Sequence, residues 1–227
     1  MVTCVVFDLD DTLYDEIEYY KSGFRAVARI VAETQGLGDE KKLYDVLWSL
    51  FSKGNHTTTF NMAFEQLGLA CDDKFIGSAV QSFRLHRPLM ALPAGTENVL
   101  KTLYEKYTLA LLTDGYLPAQ RLKVQALEIE KYFRCIIYTE ELGRKYWKPS
   151  TAGFEKILET LKIKGKNCVY AADDLTKDFI APNKLGFGTI QLIRPNGIHH
   201  GKAPDEDAKP KYVIKSLDEL PKLLKEM

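Results

Sequence analysis

An apolar run at the start of the chain, residues 2–7, ends without a spacer in Asp8-Leu9-Asp10-Asp11-Thr12-Leu13. A run with no polar alternation reads as a strand buried on both faces, the pattern of parallel sheets. Asp8 then falls at the carboxyl end of that strand, where open α/β sheets place their ligands. A surface turn is the competing reading, because Asp and Thr are ordinary turn residues. The rest of the chain has to decide between them.

Immediately after this stretch the periodicity turns helical. Asp15 can cap a helix whose apolar positions Ile17, Tyr20, Phe24, Val27, Ala28 and Val31 recur at helical spacing and which Gly36 and Gly38 end. Asp39 can cap a second helix, broken at Lys53-Gly54-Asn55, and residues 59–67 and 72–85 predict two shorter amphipathic helices. Four such helices with short connections predict a compact bundle inserted after the first strand.

From Pro93 onward helices and strands alternate, the signature of a parallel sheet. Strands are expected at residues 107–112, Cys135–Tyr138, Cys168–Ala172, 189–193 and Tyr212–Ile214. The helices between them are expected at 96–105, 118–127, 150–161 with Ser150 as cap, 176–185 with a kink at Pro182, and from Leu217. Residues 195–210 read as an exposed loop. The fold class is therefore α/β: a doubly wound, Rossmann-like parallel sheet over residues 1–14 and 90–227, with a helical cap over residues 15–89.

In such a sheet the strand ends open onto one edge. The first strand ends at Asp8, the second at Thr113-Asp114-Gly115, and the strand Cys168–Ala172 at Asp173-Asp174. Lys148, before Pro149, and Asp178, five positions beyond Asp173, complete a set with a carboxylate nucleophile, a hydroxyl, an ammonium and an acidic cluster.

These stretches, in this order, resemble the four motifs of the haloacid dehalogenase superfamily, in its phosphatase branch with a C1-type cap. Asp8-Leu9-Asp10-Asp11-Thr12 is similar to the first motif, Thr113 to the second, Lys148-Pro149 to the third and Asp173 through Asp178 to the fourth, where Ala172 stands in the usual glycine position. The resemblance implies that Asp8 is a nucleophile that forms an aspartyl phosphate. It implies that Asp10 serves as general acid and base, and that Thr113 and Lys148 hold the phosphoryl oxygens. It also implies Mg²⁺ held by the Asp8 and Asp173 side chains and the Asp10 backbone carbonyl, with Asp178 in the outer shell. Asp173 or the adjacent Asp174 could meet the metal, and the spacing to Asp178 favours Asp173.

Electrostatics supports a cation on its own terms. Two carboxylates 4 Å apart at an effective dielectric of about 20 repel by roughly 4 kcal/mol, and hard oxygen ligands with room for water and phosphate suit Mg²⁺. The expected reaction is hydrolysis of a small phosphorylated metabolite, a sugar phosphate or nucleotide. A phosphomutase on the same scaffold and a catalytically silent binding module are the alternatives. A dehalogenase has no leaving oxygen to protonate, and Asp10 argues against it.

Among polar residues near the cap mouth, Asn55, His56, Arg84, His86 and Arg87 included, Tyr14, Lys21 and Arg25 are the preferred substrate contacts because they follow the first motif closely. His199-His200 reads as a solvated loop pair and Trp147 as loop packing.

Composition removes other classes. Lys+Arg 31 against Asp+Glu 31 leaves no net charge, so no basic field points to nucleic acid or an anionic membrane. No apolar segment reaches bilayer length and the chain enters a strand without a signal-like segment, so a cytoplasmic protein is expected. Cys4, Cys71, Cys135 and Cys168 lack metal-ligand spacing and read as reduced thiols.

Overall fold

A computed structural model describes residues 1–35, 39–69, 72–195 and 197–227. The expected helix-ending Gly36 and Gly38, and Cys71, lie outside the described residues. In chain order the elements are β1 (Cys4–Phe7), α1 (Ile17–Gln35), α2 (Glu40–Ser52), α3 (Thr59–Gln66), α4 (Asp73–Leu85), α5 (Ala94–Tyr104) and β2 (Thr108–Thr113). They continue with α6 (Ala119–Ala126), β3 (Cys135–Tyr138), α7 (Ala152–Leu161), β4 (Cys168–Ala172), α8 (Ile180–Lys184), β5 (Gly188–Leu192), β6 (Tyr212–Ile214) and α9 (Leu220–Glu226).

Among the described residues the strands form one six-stranded sheet in the order β3-β2-β1-β4-β5-β6, and each neighbouring pair is parallel. The chain winds outward from β1 to one side and then to the other, so β1 lies next to the reversal in strand order, where such sheets bind ligands. Register does the rest. Phe7 is level with Leu111 on β2 and with Ala171 on β4. Asp8, Thr113 and Asp173 therefore lie one or two residues beyond the same level, Thr113 as the last residue of β2.

Alternation along the strands divides the core in two, as a sheet covered on both faces requires. Val5, Phe7, Leu109, Leu111, Val169 and Ala171 pack with residues of α5, α6 and α9 on one face. Cys4, Val6, Ala110, Leu112, Cys168 and Tyr170 pack with Phe154 and Ile157 of α7 and Ala181 of α8 on the other. A third cluster belongs to α1–α4, where Phe24, Val27, Leu43, Leu47, Phe51 and Phe64 are buried together. Asp39 and Asp72 cap α2 and α4, each accepting a backbone N–H three residues on. Cys4, Cys135 and Cys168 are free, buried thiols. Among the described residues no helix is long and apolar enough to cross a membrane.

The stretch expected to be helical over 176–185 is helical only from Ile180 to Lys184. Local side-chain bonds compete with the helix there: the Asp174 carboxylate accepts both the N–H and the hydroxyl of Thr176, and the Asp178 carboxylate accepts the Asp174 N–H. Pro182 consequently sits in the first turn of α8, where the N–H it lacks has no partner to lose, and it kinks nothing. Ser150, expected as the cap of α7, stands one residue before the observed N-cap, Thr151, and its hydroxyl accepts the Ala152 N–H at 3.3 Å.

Phe154 is fully buried, with its ring edge-on to Tyr170 at 4.8 Å and to Phe187 at 5.7 Å. Phe154→Ala is expected to cost about 3–5 kcal/mol of stability, read by urea unfolding as a lower midpoint at unchanged m-value. A loss below about 1 kcal/mol would place this residue outside the load of the core.

Candidate active site at the sheet edge

Past β1 the chain turns sharply. Asp11 adopts a left-handed backbone, φ 51°, which Asp tolerates better than most residues. Its carboxylate accepts the Glu16 N–H at 2.8 Å and the Ile198 N–H at 2.7 Å. Arg194 donates to the carbonyls of Asp11 and Thr12 at 3.0 and 2.7 Å. The loop that carries Asp8 and Asp10 is thus clamped from nearly two hundred residues away in sequence, by Arg194 just before the stretch expected to be an exposed loop and by Ile198 within it.

Two charge clusters result. In the first, Asp8, Asp173 and Asp178 bring carboxylate oxygens within 4.8 Å of one another. The Lys148 ammonium donates to Asp8 at 2.6 Å, pairs with Asp178 at 2.7 Å and reaches the Tyr170 hydroxyl at 3.1 Å. Burial pushes Asp8 up to about 7, with the Lys148 charge opposing and the Asp178 charge adding. Burial and the charges of Asp178 and Asp8 push Asp173 up to about 9. Burial would lower the Lys148 ammonium, but Asp178 and Asp8 outweigh it and hold the amine well above its usual range. The Asp174 carboxylate is not one of this group and is engaged by Thr176 instead: burial raises its carboxyl, yet the bonds from Thr176 and the Lys177 charge hold it low. The donor set is all oxygen, which suits a hard divalent cation, and the three carboxylates can hold one.

In the second cluster, one oxygen of Asp10 accepts from the Tyr14 hydroxyl at 2.5 Å and from the Lys123 ammonium at 2.8 Å, and the other accepts from the Gln120 amide at 2.8 Å. Lys123, only 3% exposed, also pairs with Glu16 at 3.4 Å. Burial alone would raise the Asp10 carboxyl, but the Lys123 charge and these donors hold it below the usual carboxylate range. Burial and the Asp10 charge push Glu16 up to about 8, with Lys123 opposing. Gln120 also donates to the Thr113 hydroxyl at 2.6 Å. Gly115 leaves room for this: at φ 134° it adopts a backbone that side chains avoid, and a Cβ there would come 2.8 Å from Gln120.

The structure therefore gathers Asp8, Asp10, Thr113, Lys148, Asp173 and Asp178 at one edge. Asp8, Asp10, Lys148 and Asp173 line a cavity of about 170 Å³ there, together with Glu16, Lys177 and His199 among others. None of the three residues preferred as substrate contacts lines this cavity. Tyr14 is 1% exposed and spends its hydroxyl on Asp10. Lys21 pairs with Glu18 at 2.8 Å and lies over Trp48, and Arg25 lies over Tyr44. His199, read as solvated, stands 3.9 Å from Glu16 and 4.0 Å from Asp174. Trp147 donates to Glu140 at 3.1 Å and lines the cavity as well. Lys123 and Gln120 escaped the sequence reading, although a signal existed: on α6 they share the buried face with Ala119 and Val124, where polar residues are out of place.

Against this geometry, the family model for haloacid dehalogenase-like hydrolases matches residues 2–186. The chain belongs to the haloacid dehalogenase-like hydrolases, and like the curated relatives it matches it is a hydrolase of the phosphatase kind. A glyceraldehyde 3-phosphate phosphatase of Methanopyrus kandleri is 27% identical over 236 residues, covering 100% of this chain and 99% of its own. An N-acylneuraminate-9-phosphatase of Rattus norvegicus is 25% identical over 240 residues, covering 98% and 94%. Among solved structures, a 2-haloacid dehalogenase from Pseudomonas syringae superposes with a TM-score of 0.66 at 24% identity, covering 100% and 99%, a likeness of fold.

The raised carboxyls set a pH dependence. Asp8 and Asp173 titrate in the metal-free fold near 7 and 9 against 3.8 ordinarily. The metal-free fold thus holds these protons more tightly than the unfolded chain does, and it loses stability as pH rises through that interval. A cation needs the ionised forms, so its affinity rises over the same interval and its binding releases protons. The thermal stabilisation by saturating MgCl₂ should be clearly larger near pH 9 than near pH 6; equal increments at both would contradict the assignment.

Proposed function

We propose that this chain is a Mg²⁺-dependent phosphomonoesterase that hydrolyses a small phosphorylated metabolite through an aspartyl phosphate on Asp8. The observation that carries the reading is the environment of Asp8: a buried carboxylate at a sheet edge, 2.6 Å from a buried ammonium and beside two further carboxylates that call for a cation. Relatives that match the chain along nearly its whole length act on glyceraldehyde 3-phosphate and N-acylneuraminate 9-phosphate, both phosphomonoesters of small molecules. In this reading residues 1–14 and 90–227 form the catalytic core and residues 15–89 the cap over it.

Asp8 and Asp173 would hold Mg²⁺ with the Asp10 carbonyl, Asp178 standing behind them on Lys148. An ion bound there would offset carboxylate charge and supply Lewis-acid stabilisation to a phosphoryl oxygen. The remaining work falls to the side chains. The Asp8 oxygen attacks phosphorus and the P–O bond to the leaving group breaks, which exchanges one hard displacement for two easier ones. Lys148 and the Thr113 hydroxyl take up phosphoryl oxygens and hold them in line. Asp10 gives a proton to the departing alkoxide. It then takes one from the water that attacks the aspartyl phosphate, releasing phosphate and restoring Asp8.

The surroundings of Asp10 fit this double role. With the site empty of phosphate, Lys123 favours the carboxylate, the form that activates water. An arriving phosphate dianion adds negative charge nearby and raises the proton affinity of the carboxyl, which favours the acid form for the first half-reaction.

The test is phosphate release from a panel of sugar phosphates, nucleotides and p-nitrophenyl phosphate with MgCl₂. Wild-type protein is expected to release phosphate from at least one phosphomonoester, and Asp8→Asn to lose at least about a thousand-fold in kcat. Isomer formation without phosphate release, or an Asp8→Asn variant as active as wild type, would overturn the proposal.

A further inference from the structure

Beside the acidic cavity lies a larger one of about 450 Å³, and the two share Asp10, Glu16, Asp114, Gly115 and Trp147 in their walls. At about 30 Å³ per water it holds on the order of fifteen waters, room for a sugar-sized group. Its far walls come from α1, α3 and α4 and are rich in aromatic rings, Tyr20, Phe60 and Phe83 among them. If phosphorus reacts at Asp8, the leaving group of the substrate occupies this space. The inference below rests on that reading of the site.

Charges in the larger cavity are nearly all committed. Lys123 serves Asp10 and Glu16. The Asp114 carboxylate accepts the Thr139 hydroxyl at 2.7 Å and the Lys148 N–H at 3.1 Å. Arg84, in the last turn of α4, is the exception. Its guanidinium lies on the face of Tyr116, 3.5 Å from the ring centroid, and among the described residues it has no ion-pair or hydrogen-bond partner. The opposite neighbour of the ring, Arg144, stands 4.3 Å from its centroid and is spent on Glu140 at 3.3 Å. Stacking fixes the plane of a guanidinium while leaving its N–H edge free. Arg84 is thus a pre-oriented fork with unused donors, in the wall of the leaving-group cavity, and such a fork matches a carboxylate.

We propose that Arg84 reads an anionic group on the leaving portion of the substrate, so that the preferred substrates are phosphomonoesters of carboxylated, sugar-sized molecules, not neutral polyols or aldehydes. A guanidinium that only latched α4 to the Tyr116 loop would affect every substrate alike. One that reads a carboxylate affects only substrates that carry one.

Matched pairs separate these cases: 6-phosphogluconate with glucitol 6-phosphate, and 3-phosphoglycerate with glycerol 3-phosphate. In each pair a terminal carboxylate replaces a CH₂OH. Wild-type enzyme with MgCl₂ is expected to favour the acid in the six-carbon pair by at least ten-fold in kcat/KM. Arg84→Met should abolish that preference while altering the neutral partner less than three-fold, and Arg84→Lys should restore part of it. Hydrolysis of both pairs without preference for the acid, or an equal fall for both members in Arg84→Met, would overturn the role of Arg84 and leave the phosphatase reading standing. Absence of hydrolysis across these compounds and p-nitrophenyl phosphate would overturn the phosphatase reading itself, and this proposal with it.

Discussion

The ammonium of Lys148, held between Asp8 at 2.6 Å and Asp178 at 2.7 Å, is the contact on which the rest of the site depends. Three carboxylates crowd within 4.8 Å there. At about 4 Å and an effective dielectric near 20, each like-charged pair costs roughly 4 kcal/mol. One ammonium against three carboxylates leaves two negative charges, the charge of one divalent cation. The fold supports this arrangement from beneath. Tyr170 on β4 meets Lys148 with its hydroxyl while its ring packs against Phe154 and Phe179, so the polar group stands on the apolar core.

Asp8 and Asp10 lie two residues apart and live in different electrostatic worlds. Burial and the Asp178 charge push the first up to about 7, whereas Lys123, Tyr14 and Gln120 hold the second low. Two carboxyl groups on one loop can take different roles only when their environments separate them in this way. The separation is made by elements far apart in sequence: Lys148 and Asp178 serve one, α6 the other, and Arg194 clamps the loop between them.

Much of this was legible in the residues because its causes are local or periodic. The unbroken apolar run before Asp8 marked a strand buried on both faces, and helical spacing after Asp15 marked the bundle. Parallel sheets place strand ends on one edge, which brings Asp8, Thr113 and Asp173 together, and the family resemblance adds Lys148 to them. What stayed hidden depends on tertiary placement. Lys21 and Arg25 follow the first motif in sequence, but α1 turns them toward Trp48 and Tyr44. Arg84 and Lys123 reach the cavities from helices whose docking no local pattern encodes. His199 lies in a stretch with no periodicity, and the contacts of Arg194 and Ile198 with the Asp11 turn show why it returns to the site. The short α8 was misjudged because side-chain bonds from Asp174 and Asp178 replace helical ones.

On the proposed mechanism Asp8 carries the phosphoryl group between substrate and water. This role is tested most directly by rapid quenching during turnover into borohydride, which reduces an acyl phosphate to the alcohol, followed by peptide mass mapping. Homoserine at position 8, dependent on substrate and on the divalent cation, is the expected product. Reduction at another carboxylate, or an unmodified Asp8 under conditions of steady phosphate release with the intermediate accumulating, would contradict that mechanism.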